Sequence, residues 1–64
     1  MTTRIYTDEN CYKKIDGVLY CAELDGYEGE VVESSWAAVD WDRIGPFERM
    51  EAKFMLERLD NETV

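Results

Sequence analysis

The single proline of this chain divides it into two halves with different hydrophobic periods. Pro46 follows Gly45, a pair that interrupts whatever precedes it, and proline suits the first position of a helix. From Phe47 to about Leu59 there is no Gly, Pro or β-branched residue, and strong helix formers dominate. Glu48 falls in the first turn, where the helix dipole favours an anion. The spacing predicts one helix over about 46–60. Ahead of Gly45 the apolar residues come in short runs punctuated by turn residues, which is the strand pattern. Arg4-Ile5-Tyr6, Cys11 to Ile15, Val18 to Leu24 and Glu30 to Glu33 are the strand candidates. Asp16-Gly17 joins the second to the third as a hairpin. Ser34-Ser35 either ends the fourth strand or caps a short helix, and both strand and helix fit residues 34–42. The expected fold is α+β: a small antiparallel sheet of three to four strands packed on one C-terminal helix. It forms a single small domain over 1–64, β-rich over 4–33. At 64 residues such a chain buries only about 60% of its unfolded surface, so its core is thin.

The predicted helix has an unusually wide apolar arc. At 100° per residue, Phe47, Met50, Ala52, Phe54, Met55, Leu56 and Leu59 spread over about 240°, whereas a helix lying on one sheet needs nearer 100°. Either Trp36, Val39, Trp41 and Ile44 fold back over the second face, or a partner or a second copy covers it. Met50, Phe54, Met55 and Leu59 form the candidate dimer face.

Cys11 and Cys21 are the only cysteines. A two-residue turn at Asp16-Gly17 places Cys11 opposite Ala22, whereas a three-residue loop places it opposite Cys21. Sequence leaves both registers open, and reduced, packed thiols are expected. Two cysteines and no histidine are too few for a structural zinc site, and the spacing is not Cys-x-x-Cys.

The charge is placed more informatively than its total of −8 suggests. Residues 1–22 are neutral, and residues 43–64 are nearly so. Residues 23–42 carry Glu23, Asp25, Glu28, Glu30, Glu33, Asp40 and Asp42 with no Lys or Arg, interleaved with Tyr27, Trp36 and Trp41. Read as a solvated edge, the stretch confers solubility and blocks edge pairing. Read as an interface, Glu28 and Glu30 on one strand face repeat every ~6.6 Å and present a row of anionic charge. Such a row fits a Lys/Arg surface built for phosphates, with the aromatic residues as apolar anchors. The expected partner-binding set is therefore Glu23, Asp25, Tyr27, Glu28, Glu30, Glu33, Trp36, Asp40, Trp41 and Asp42.

Other classes are excluded or disfavoured. A chain of this charge repels a phosphate backbone, so direct nucleic-acid binding is not expected. It has no histidine, no glycine-rich phosphate loop and no calcium-loop spacing in Asp25 to Glu30. Little room is expected for a pocket of ~300 Å³. No enzyme activity, metal or cofactor is expected. The longest apolar run, Val18 to Ala22, is far short of the ~20 residues of a membrane span, and the opening Met1 to Tyr6, with no long apolar run behind its positive charge, is not expected to act as a secretory signal. A cytoplasmic protein is the expectation. In its size, the acidic stretch from Glu23 to Asp42 and the lack of a catalytic constellation, the chain resembles the small acidic inhibitor proteins of phages, the anti-CRISPR and DNA-mimic types among them. The resemblance implies a non-catalytic protein that occupies a basic nucleic-acid-binding surface of a host protein or nucleoprotein complex. The alternative is a small oligomerising structural or interaction module, a homodimer among the options, that uses the broad apolar face of the C-terminal helix.

Overall fold

The computed structural model describes residues 3–62; the ends of the expected 1–64 domain lie outside that range. Four antiparallel strands in the order β1-β2-β3-β4 form one sheet, with a single C-terminal helix packed on it. The strands are β1 (Arg4–Tyr6), β2 (Asn10–Ile15), β3 (Val18–Glu23) and β4 (Ala37–Ala38). The helix α1 runs Pro46–Glu62, two residues beyond its expected end. Gly45 accepts the first helical hydrogen bond, its carbonyl receiving the Arg49 amide at 2.9 Å.

The sheet register is set at the β2–β3 turn. Asp16 (φ 51°) and Gly17 (φ 81°) both adopt left-handed backbone, the conformation of a type I′ two-residue turn whose twist matches that of its strands. Glycine takes this conformation freely, and aspartate is among the few other residues that tolerate it. Ile15 therefore faces Val18, Tyr12 faces Cys21, and Cys11 faces Ala22. The two cysteines project from opposite faces of the sheet and are both free thiols.

One sheet face supplies Ile5, Tyr12 and Leu19 to the core, and α1 supplies Ala52, Met55 and Leu59. Cys21, Val39, Trp41, Ile44 and Leu56 pack around them. The Tyr12 hydroxyl, carried into this core on its ring, donates to Glu51 Oε1 at 2.8 Å, and Lys14 pairs with Asp60 of α1 on the same side. The helix arc is thus divided. Residues near 80–180° on the wheel are packed, while Phe47, Met50 and Phe54, centred on the opposite side, stay exposed. Val39, Trp41 and Ile44 do fold against the core, but they leave this second face open. Met55 and Leu59 belong to the monomer core, with 8% and 1% exposure, so neither is available to a dimer face. Only Met50 and Phe54 of that expected set remain at the surface.

The fourth strand lies elsewhere than expected. The stretch Glu30 to Glu33 is not a strand: Val31 alone forms a bridge, to Leu24. Gly29 adopts φ 69° and breaks the extended run just before it, and Glu33–Ser35 closes into one turn of 3-10 helix just after. The hydrogen bonds of Ser35 hold that turn: its amide and its hydroxyl both donate to the Val32 carbonyl, and its hydroxyl accepts the Glu23 amide at 2.8 Å. The chain then pairs with β3 at Ala37 and Ala38.

Leu59→Ala is expected to cost about 2–5 kcal/mol of unfolding free energy, as other buried leucine truncations do. Phe54→Ala, on the open side of the same helix, should stay within about 0.5 kcal/mol of the parent. Urea titrations followed by far-UV circular dichroism measure both.

Candidate interaction surface

The acidic stretch from Glu23 to Asp42 treats its carboxylates in three different ways. The first group forms an arm. Leu24 and Val31 bridge at its base, the Asp25 amide donates to the Glu30 carbonyl at 2.7 Å, and the Gly29 amide donates to the Asp25 carbonyl at 2.8 Å. The Asp25 carboxylate accepts the Tyr27 amide at 2.8 Å and shapes the tip. Asp25, Glu28 and Glu30 are exposed, with no ion pair among the described residues, and Tyr27 is 99% exposed between them. The expected regular row of Glu28 and Glu30 does not form, because Gly29 turns the backbone out of the extended state between them. The acids cluster around a turn instead.

The second group is structural. Arg4 donates from both terminal nitrogens to Glu33, at 2.9 and 3.0 Å, and the Trp36 indole donates to the same carboxylate at 3.1 Å. Arg4 and Lys13 both lie over the Trp36 ring, 5.2 and 4.0 Å from its centre. These residues sit on the sheet face opposite α1, so the clasp draws residues 33–36 across that face. Beneath it Cys11 and Ala22 are fully buried, although no helix covers them. Burial pushes the Cys11 thiol above its ordinary value. The hydrogen bond from Arg4, and then that from Trp36, hold the Glu33 carboxyl below the ordinary carboxylate range. Glu33 and Trp36 are therefore engaged within the molecule rather than presented to a partner. Trp41 is likewise half-buried against the core. Of the three expected aromatic anchors, Tyr27 alone stands free.

The third group lines a groove of about 490 Å³ between the N-terminal half of α1 and the end of the sheet, larger than a chain this short was expected to form. Glu23 and Asp40 reach it from the acidic stretch. They are joined there by Glu9, Glu48 and Glu51, three residues that the linear charge pattern gives no reason to select. Glu9 belongs to the neutral segment 1–22, and Glu48 and Glu51 to a helix with almost balanced charge. The backbone contact of Leu24 with the Glu9 carbonyl and the seating of α1 over Tyr12 bring them together. No Lys or Arg lines the groove. Arg49 of α1 caps the Trp41 and Ile44 carbonyls, at 3.1 and 3.3 Å, and Arg43 pairs with Asp40 at 3.5 Å. Asp42, in the turn between Asp40 and α1, is exposed and donates its amide to Asp40. Tyr12 and Cys21 lie at the groove wall, and burial is the first cause raising the pKa of both.

Among the described residues no group of three or more Cys, Asp or Glu is arranged to hold a metal ion, and no helix is long and apolar enough to cross a membrane. No protein-family model, curated protein or solved structure matches the chain.

Two outcomes check the clasp. Thiol-reactive dye should label Cys21 in the folded protein before Cys11, and Trp36→Ala should bring Cys11 labelling forward while circular dichroism stays folded. The Glu33 contribution has a definite sign. Its native pKa is depressed, so the stabilisation is full above the unfolded value near 4.5 and is lost as pH falls through the lower native value. The stability gap between the parent and Glu33→Gln, read from urea midpoints, should be constant at neutral pH and close on acidification through that window.

Proposed function

We propose that this protein is a non-catalytic acidic binding protein that acts by occupying a basic, nucleic-acid-binding surface of a partner, as an inhibitor does. The observation that supports this reading is the arm of residues 25–30. Three carboxylates, Asp25, Glu28 and Glu30, stand in solvent without a compensating cation, around a tyrosine exposed over nearly its whole surface. A surface this charged does nothing for the core. Its carboxylates repel one another, and a cationic partner relieves that repulsion. Tyr27 supplies apolar contact area at little conformational cost, as tyrosine does at binding hot spots. In size and charge the protein is of the DNA-mimic and anti-CRISPR type that its sequence resembles.

The second reading is self-association through α1, favoured by the exposure of Phe47, Met50 and Phe54 at 76, 67 and 57%. Sedimentation at rising concentration separates the two readings, since only self-association produces a concentration-dependent mass.

Glu28→Lys combined with Glu30→Lys should leave the fold intact, because both side chains are exposed and neither makes an ion pair among the described residues. It should weaken capture of a basic partner from lysate by more than about tenfold at low salt. Rising salt should weaken the parent interaction in the same direction. Affinity unchanged by both treatments would discard the acidic-surface reading.

A further inference from the structure

The acidic groove and the open face of α1 are one continuous surface. A smaller hollow of about 250 Å³ is lined by Phe47, Met50, Glu51 and Phe54, and Phe47 and Glu51 also line the groove of about 490 Å³. The stripe has the i, i+3, i+7 spacing of a helix-docking seam. It is bordered on one side by five carboxylates, Glu9, Glu23, Asp40, Glu48 and Glu51. The groove floor beneath them is apolar, with Ala37, Val39 and Ala52. An apolar seam beside an anionic channel is complementary to one kind of ligand: a segment with an apolar face and a cationic flank.

We infer that this surface docks a basic amphipathic segment of a partner protein. The segment's apolar side chains lie on Phe47, Met50 and Phe54, and its Lys or Arg side chains reach into the groove toward Glu48, Glu51 and Glu23. Long basic side chains suit the channel because their methylene stems contact the alanine floor while their heads meet the carboxylates. A second copy of this chain is a poor occupant. Of its seven Lys and Arg, Arg4, Lys14 and Arg43 already pair with carboxylates, Arg49 caps carbonyls and Lys13 lies on Trp36, which leaves two, Lys53 and Arg58 of α1, to set against the five acids of a facing groove. Two copies each carrying −8 also repel as they approach. The inference rests on the reading that the partner is basic, but it assigns the contact to side chains outside the arm, so the two can fail separately.

The test uses a fluorescein-labelled synthetic helix of leucine and lysine, with one apolar and one basic face, titrated by anisotropy and by amide NMR shifts. A serine–lysine peptide of equal charge and a leucine–glutamate peptide serve as comparisons. The leucine–lysine peptide is expected to shift amides of residues 47–54 together with Glu23 and Asp40. Glu48→Lys, Phe47→Ser and Phe54→Ser, all changes of exposed side chains, should each weaken it by about tenfold. The serine–lysine peptide should bind about tenfold more weakly, and the leucine–glutamate peptide should not bind. Glu28→Lys with Glu30→Lys should change the affinity less than about twofold, as expected of sites that share no side chain. Loss of binding in that arm variant alone would overturn the inference while leaving the basic-partner reading standing. Equal binding of the two lysine peptides would show charge adsorption without a docking seam and overturn it as well. A concentration-dependent dimer dissolved by Phe54→Ser would assign the stripe to a second copy instead. Failure of every peptide to bind would reject the docking site.

Discussion

The type I′ turn at Asp16-Gly17 decides which side chains of this sheet meet the helix. With Ile15 opposite Val18, the set Ile5, Tyr12, Leu19 and Cys21 faces α1, and the set Arg4, Tyr6, Cys11, Lys13 and Ala22 faces away. Side chains alternate along a strand, so a one-residue slip of β2 against β3 would turn over the side chains of one strand relative to the other. Either Arg4 and Lys13 would come under the helix, or Leu19 and Cys21 would be turned to the other face. In a molecule with six side chains in its buried cluster, either loss would leave too little to hold the helix. The turn is local in the chain, yet both layers of the fold and both groups of charged contacts depend on it.

The face turned away from the helix shows how so small a chain covers a sheet on both sides. It has no second helix for the purpose. It uses a clasp instead, in which one carboxylate receives three donors and one indole carries two cations. Each of these interactions is exposed and modest by itself. Their geometry is shared, because Glu33 and Trp36 are held three residues apart by the 3-10 turn, and so a single closure of the segment makes all of them. The buried thiol of Cys11 beneath the clasp is its consequence. The same closure frees the residues just before it to project as an arm, since the bridge from Leu24 to Val31 anchors both ends of that loop.

The charge is divided by the same geometry. Some carboxylates of the acidic stretch are neutralised by cations that the topology brings to them, and others are left in solvent because no cation comes within reach. The proposed interaction surfaces are what remains after that internal pairing: the arm, where acids surround Tyr27, and the groove, where Glu9, Glu23, Glu48 and Glu51, none in an ion pair among the described residues, converge beside exposed aromatic and methionine side chains. Both are proposed as sites for a cationic partner, and they differ in what accompanies the charge.

What the sequence determined by itself was local. The hairpin at Asp16-Gly17, the helix beginning at Pro46 and the α+β class follow from turn chemistry and periodicity, which act over a few residues. The concentration of acids between Glu23 and Asp42 was equally legible, as was the fact that the apolar arc of the helix is too wide for one sheet. The tertiary structure alone decided which half of that arc packs. Ala52, Met55 and Leu59 lie over Tyr12 and Leu19, and nothing in the wheel distinguishes them from Phe47, Met50 and Phe54. It also decided that β4 forms at Ala37 rather than at Val31, that Glu33 and Trp36 face inward onto Arg4, and that Glu9, Glu48 and Glu51 join Glu23. These outcomes depend on contacts between residues far apart in the chain, whose selection rests on how well two surfaces fit, and no local preference encodes that fit.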